Sequence, residues 1–178
     1  GMAAILGLDI PALENVCAAA STEGEVVQVA NDNCPGQVVI SGHKPALERA
    51  MAGAKAAGAK RALPLAVSIA AHSPLMSSIQ SEWDAAVAAV ACQDASVPLI
   101  GNVHAAPIAK AGALKDDIRA QMQSRVRWTE SVRWLAAQGV TTFIEMGSGS
   151  VLCGLIKRIV PDAQTFSCGV SQDFEALR

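Results

Sequence analysis

The chain has no tyrosine and only three phenylalanines and three tryptophans, although 51% of its 178 residues are hydrophobic. Alanine makes up much of that fraction, and alanine-rich segments with few β-branched residues favour closely packed helices. A surplus of charge is missing too. The formal net charge is −2, which gives no electrostatic reason to expect nucleic acid or an anionic membrane as partner. No apolar run reaches the roughly 18–20 residues of a membrane span. The first residues lack the basic segment and small-residue cleavage site of a signal peptide. The expectation is a soluble, cytoplasmic protein of one domain or two small lobes.

Metal and redox motifs are also absent. Cys17, Cys34, Cys92, Cys153 and Cys168 form no C-x-x-C pair and have no histidine at zinc-ligand spacing, so no metal site is expected. An odd number of cysteines without an export signal fits free thiols in a reducing compartment, most of them small buried residues. The chain has no G-x-S-x-G elbow, no Walker loop and no G-x-G-x-x-G.

What is present changes character near residue 67. Residues 2–8 (MAAILGL) read as a strand, and Asp9 is placed to cap a helix with Pro11 in its first turn. Strand-like segments follow at 26–30 and 37–41, separated by NDNCPG, a cluster of turn formers. A second helix is expected over 45–57, ended by Gly58. Residues 61–67 (RALPLAV) make a fourth strand, whose Pro64 points to a sheet edge. The order β-α-β-β-α-β predicts a ferredoxin-like subdomain over residues 1–66.

Residues 67–178 alternate strand and helix. A long helix is expected over 74–92, with Met76, Ile79, Trp83, Val87 and Val90 on its inner stripe. Residues 97–101 read as a buried strand, 116–123 as a helix, and Thr129 as the cap of a helix that Gly139 stops. Residues 140–146 (VTTFIEM) are the clearest strand; a helix over 151–160 and a strand over 165–168 follow. The alternation predicts parallel strands with helices on their faces, part of a three-layer α/β sheet. Its strands number about three, below the usual roughly four to six. The GSGS turn at 147–150 invites a phosphate-loop reading, but it lacks the lysine and spacing of a Walker loop. A tight strand-to-helix connection is the simpler expectation.

His72 stands in PLAVSIAAHSPLM, residues 64–76, where a strand-like run ends and Ser73-Pro74 opens a helix. An imidazole at such a mouth suits proton transfer near neutral pH, or a structural bond to a backbone carbonyl. Ser73 cannot serve it, because adjacent helical residues do not face each other. His43 and His104 read as surface residues.

Seven segments, taken in order, carry a resemblance: MAAILGLD, NDNCPGQVVISGH, AAGAKRALPLAVS, AHSPLM, VPLIGNV, VRWTESVRWLAAQGV and EMGSGSVLCGLIKRI. Through nearly its whole length the chain resembles the C-terminal part of the malonyl-CoA:acyl carrier protein transacylase family of bacterial fatty-acid synthesis. It is similar in the same way to the acyltransferase domains of polyketide synthases. The resemblance implies an α/β fold in which residues 67–178 are the C-terminal part of an α/β-hydrolase-like, three-layer acyltransferase core. It implies that a serine in a G-H-S-x-G elbow takes malonyl from the coenzyme A thioester. The phosphopantetheine thiol of acyl carrier protein then takes it from the serine, so that one exchange is split into two similar steps. His72 matches the family's general base, and Gln121 in RAQMQSRVRW matches the residue whose main-chain carbonyl orients it. No bound cofactor is implied; malonyl-CoA is the substrate.

By the same resemblance, Ala71 helps shape the acyl pocket, and its small size fits the fatty-acid type. Lys60 and Arg61 are candidates for the phosphates of coenzyme A or the acidic carrier protein, or they are a solvated surface pair. Asn31 and Asn33 are candidates for the pantetheine amides, or they hold the turn. Ser148 stands where the family usually has proline. The family's nucleophilic serine, oxyanion-hole glutamine and carboxylate-binding arginine all precede the segment that Gly1 matches. The expectation is therefore a fragment without transacylase activity of its own, with residues 67–178 needing the missing N-terminal half as partner. Two other identities stay open: the malonyl-transfer subunit of malonate decarboxylase, and a non-catalytic ferredoxin-like binding module.

Overall fold

Alternating apolar residues organise the first third of the chain. In the computed structural model, which describes residues 1–177, β1 (Met2–Leu6), β2 (Val27–Cys34), β3 (Gln37–Gly42) and β4 (Arg61–Pro64) form one sheet. Its order is β2-β3-β1-β4, and every neighbouring pair is antiparallel. Helices α1 (Ile10–Ala20) and α2 (Lys44–Ala56) each cross over one strand, so the two connections interleave. Ala3, Ile5, Val27, Val29, Val38 and Ile40 face the helices, where Leu13, Cys17, Leu47 and the alanines of α2 bury them. Methyl side chains at Ala46, Ala50 and Ala54 let α2 lie close to the sheet. Asp9 caps α1, accepting from the Ala12 amide at 2.9 Å, with Pro11 in the first turn. β4 is an edge strand, as Pro64 predicts.

NDNCPG departs from expectation. β2 continues through residues 31–34, and the turn is only Pro35-Gly36, with Gly36 at φ +72°. Register shifts at Val29/Asn31 and Asp32/Cys34 absorb the polar residues as irregularities against β3. The outer edge of β2 is paired as well. Asp32 N donates to Val126 O at 2.9 Å, and Val126 N donates to Ala30 O at 2.8 Å. Turn propensity yields to a second backbone partner from far along the chain.

The second part departs further. A 3-10 helix (Pro74–Ile79) precedes α3 (Gln80–Ala89), so the single helix expected over 74–92 is broken at Ile79. Ser73 tightens that first turn, its hydroxyl accepting from Leu75 N at 3.3 Å. Within the expected stripe Val87 is buried, while Val90 is 61% exposed. The buried strand expected over 97–101 is instead the short β5 (Leu99–Ile100), paired antiparallel with β6 (Pro107–Ile108), and Leu99 is exposed. The chain reverses there because Gly101 N bonds Ala106 O at 2.9 Å, which closes a hairpin instead of a crossover. Helices α4 (Ala111–Gln121) and α5 (Trp128–Ala137) follow. Arg127, not Thr129, holds the cap position of α5. Thr129 lies in the first turn, buried, and donates to Asp32 Oδ1 at 2.6 Å.

The last elements match the alternation. β7 (Thr142–Met146), α6 (Val151–Ile159) and β8 (Gln164–Cys168) form a β-α-β unit with parallel strands, followed by a 3-10 helix (Ser171–Leu177). Ile156 and Ala163 pack with Val132 of α5 in a small core. Arg158 of α6 donates to Gln37 Oε1 at 2.6 Å and to Pro35 O at 3.2 Å, holding the β2–β3 turn. Glu145 of β7 caps α6, its Oε2 accepting from Cys153 N at 2.8 Å. That backbone bond above all holds the Glu145 carboxyl below the usual carboxylate range. A carboxylate already occupies the helix N-terminus, so GSGS connects strand to helix and is no phosphate cradle. Among the described residues, no helix is long and apolar enough to cross a membrane.

Two measurements probe these joints. Thr129→Val leaves the buried Asp32 carboxyl without its donor and should cost about 1–3 kcal/mol in urea unfolding, with Thr129→Ser close to wild type. Glu145, with its folded pKa depressed, stabilises at pH above the ~4.3 of an unfolded glutamate. That contribution is lost as pH falls through the lower folded value. Glu145→Gln should therefore melt below wild type at neutral pH, and the gap should close in acid. A gap that persists unchanged in acid would mean that the charge is not what caps α6.

Candidate active site

The turn at His72 is built by its neighbours. Ser73 is fully buried; its hydroxyl donates to Ala70 O at 2.7 Å while accepting from Leu75 N. Ala71 packs against Met2, Ala30 and Val39, on the sheet face opposite α1 and α2. Between them His72 takes φ +57°, a left-handed backbone uncommon for a residue with a side chain. Its Nδ1 lies 2.8 Å from the main-chain oxygen of Gln121, the last residue of α4. A helix leaves its final carbonyls without partners inside the helix, so this oxygen is free to accept. A carbonyl cannot donate, so in the neutral ring the proton sits on Nδ1 and Nε2 is left as the basic nitrogen.

The surroundings are rich in amides. Gln28 of β2 donates from Nε2 to His72 O at 2.8 Å and to Gln123 O at 3.1 Å. Asn102 Nδ2 donates to Gln121 Oε1, and Arg127 N donates to Asn102 O at 3.0 Å. Gln123 Nε2 donates to Gln80 Oε1 at 2.8 Å, and Gln80 Nε2 reaches Asp84 Oδ1 at 2.8 Å and Arg119 O at 3.1 Å. An open groove of about 510 Å³ borders this cluster, with Gln28, Ser124, Arg125 and Arg127 in its wall. Its two arginines are engaged, Arg125 with Glu14 at 2.8 Å and Arg127 with Glu130.

The fold brings His72, Gln121 and Ala71 together. Asn31 and Asn33 are half-buried strand residues of β2, not turn residues, and Asn31 bridges to Val126. Lys60 and Arg61 are exposed beside Leu6, at the end of the sheet opposite Met2. His43 departs from its expected surface position: it is half-buried, with Nδ1 accepting from Val26 N at 3.0 Å, while His104 is exposed. Gln28, Gln80, Asn102 and Gln123 escaped sequence reasoning. Gln28 alone carried a signal, as a polar residue that alternates with Val27 and Val29 along β2 and shares the opposite strand face with the buried Ala30.

Nucleophiles within the chain are poorly placed. Among the described residues, no serine, threonine or cysteine side chain bonds the His72 ring. Burial pushes the Cys17 thiol up to about 12, with Glu14 adding to the effect, and burial also raises Cys34 and Cys153. Thiols held protonated are weak nucleophiles. Among the described residues, no group of three or more His, Cys, Asp or Glu is placed to hold a metal ion.

Known proteins share this fold through nearly all of the chain. The family model described as "Acyl transferase domain" matches residues 2–169. A malonyl CoA-acyl carrier protein transacylase of Salmonella typhimurium is 47% identical over 160 residues, covering 90% of this chain and 52% of that protein. The crystal structure of an acyl carrier protein S-malonyltransferase from Vibrio cholerae superposes with a TM-score of 0.96 at 43% identity, over 99% of this chain and 57% of that one. A structure of a type II PKS acyl-carrier protein in complex with its malonyl-transacylase matches with a TM-score of 0.94 at 37% identity, over 98% of this chain and 56% of that one. The chain spans about half the length of the curated relatives it matches. With the family match running from residue 2 to residue 169, the chain belongs to the acyl transferase domain family.

Proposed function

We propose that this chain carries the general base of a malonyl transfer from malonyl-CoA to the phosphopantetheine thiol of acyl carrier protein. The observation that carries the reading is the bond from His72 Nδ1 to the Gln121 carbonyl, which leaves Nε2 as the proton acceptor. The nucleophilic serine belongs to the part of the family's length that this chain does not span. His72 Nε2 takes the hydroxyl proton as the serine oxygen attacks the thioester carbonyl. The carbon–sulfur bond breaks, and the imidazolium returns the proton to the departing coenzyme A thiol. The carrier thiol then gives its proton to Nε2 and attacks the seryl ester, and the serine leaves with that proton. On this reading, residues 1–66 form a ferredoxin-like subdomain and residues 67–178 the C-terminal part of an α/β-hydrolase-like core. Lys60 and Arg61 offer exposed positive charge to coenzyme A phosphates or an acidic carrier. Asn31 and Asn33 offer amides to the pantetheine arm, and Ala71 borders the acyl group. No bound cofactor enters the scheme.

Two outcomes follow. In a full-length enzyme containing this chain, His72→Ala should cut acylation by malonyl-CoA roughly 10²–10⁴-fold in stopped flow, with the fold intact by circular dichroism. A variant within a few-fold of wild type would return His72 to a structural role. The 178-residue chain by itself should take no malonyl label, because a base without its nucleophile forms no acyl-enzyme. A stoichiometric seryl adduct seen by mass spectrometry would overturn the assignment of the nucleophile.

A further inference from the structure

We propose that Gln28 is a positioning residue for His72, its side-chain amide tying the His72 carbonyl to the backbone of Gln123, whose own side chain is held by Gln80. The inference rests on the general-base reading of His72. One amide nitrogen, Gln28 Nε2, donates to His72 O at 2.8 Å and to Gln123 O at 3.1 Å. The ring of the same histidine is held by Gln121 O at 2.8 Å. Gln121 and Gln123 flank the end of α4, so ring and backbone of His72 are tied to one piece of chain.

The tie matters because His72 is strained. A left-handed φ of +57° is disfavoured for a side-chain-bearing residue and persists only where its surroundings hold it. The Ser73 hydroxyl supports the following turn through Ala70 O and Leu75 N, but it does not touch the His72 carbonyl. Gln28 does. Without it, the His72 peptide is free to rotate, and the ring leaves the line set by Gln121. The far end of the tie is also anchored: Gln123 Nε2 donates to Gln80 Oε1, and Gln80 Nε2 reaches Asp84 and Arg119 O. Gln28, Gln80 and Gln123 carry no charge, so their bonds do not change with pH in the range where an imidazole titrates.

The test uses the ring itself as reporter. The chain has three histidines, and His43 accepts at Nδ1 from Val26 N, the opposite tautomer to that set for His72. Nitrogen-15 spectra of a full-length enzyme containing this chain, with the ring signals assigned through single histidine substitutions, should therefore show His72 protonated at Nδ1 and His43 at Nε2. In Gln28→Met, which keeps length and loses the donors, His72 should become a mixture of tautomers while His43 stays unchanged. In a full-length enzyme, kcat should fall about 10- to 100-fold with KM unchanged, since misplacement of a reacting group by about 1 Å costs up to that much. Gln28→Glu, which sets a carboxylate against two carbonyls, should lose more.

An unchanged His72 spectrum and kcat in Gln28→Met, with His72→Ala inactive, overturns the positioning role and leaves the proposed function standing. Transfer that survives His72→Ala sinks the proposed function instead, and the tautomer spectrum still decides whether Gln28 orients the ring. A Gln28→Met chain that unfolds, or in which the His43 signal moves too, makes Gln28 a general structural residue and overturns the inference.

Discussion

Backbone pairing along the outer edge of β2 is the constraint on which the rest depends. β2 is the terminal strand of its sheet, and an open edge exposes donors and acceptors that must find partners. The Val126 backbone fills that edge through Ala30 O and Asp32 N, and Thr129 adds a buried bond to the Asp32 side chain. This seam joins parts of the chain that are distant in sequence. It also holds the chain that leaves α4 beside β2, because Gln121 and Gln123 lie just before Val126. His72 then meets α4 on one side and β2 on the other, and its geometry follows from the seam.

Elements governed by local chemistry were legible in the sequence. The Asp9 cap, the Pro64 edge and the β7-α6-β8 alternation depend on residues close together, and each appears where expected. The failures share a cause. NDNC reads as a loop because its side chains favour turns, yet it is strand because Val126 pairs with it. Thr129 reads as a cap because its hydroxyl suits one, yet its bond goes to Asp32. In both cases a distant partner outweighs local propensity. No window of sequence contains that partner.

The site divides the same way. His72 stood out by its position before Ser73-Pro74, and Gln121 entered through a family motif. The amides around them had no motif at all. Glutamines on a strand, on a helix and after a helix end carry no shared spacing, and only the folded chain brings Gln28, Gln80 and Gln123 together. Their bonds run largely through backbone carbonyls, which every residue possesses. Such contacts leave no trace in residue identity on the accepting side.

A carbonyl in place of a carboxylate at Nδ1 has a chemical consequence for the proposed transfer. A carboxylate would stabilise the imidazolium strongly and hold the proton on the ring. A neutral carbonyl selects the tautomer with less of that stabilisation. Exchange of an acyl group between two similar thioesters runs nearly level in free energy, and each half-reaction needs the ring to accept a proton and then give it back. With little charge to steer the ring, its orientation has to come from fixed hydrogen-bond geometry instead. A helix-end carbonyl and an amide that clamps the histidine's own backbone supply that geometry.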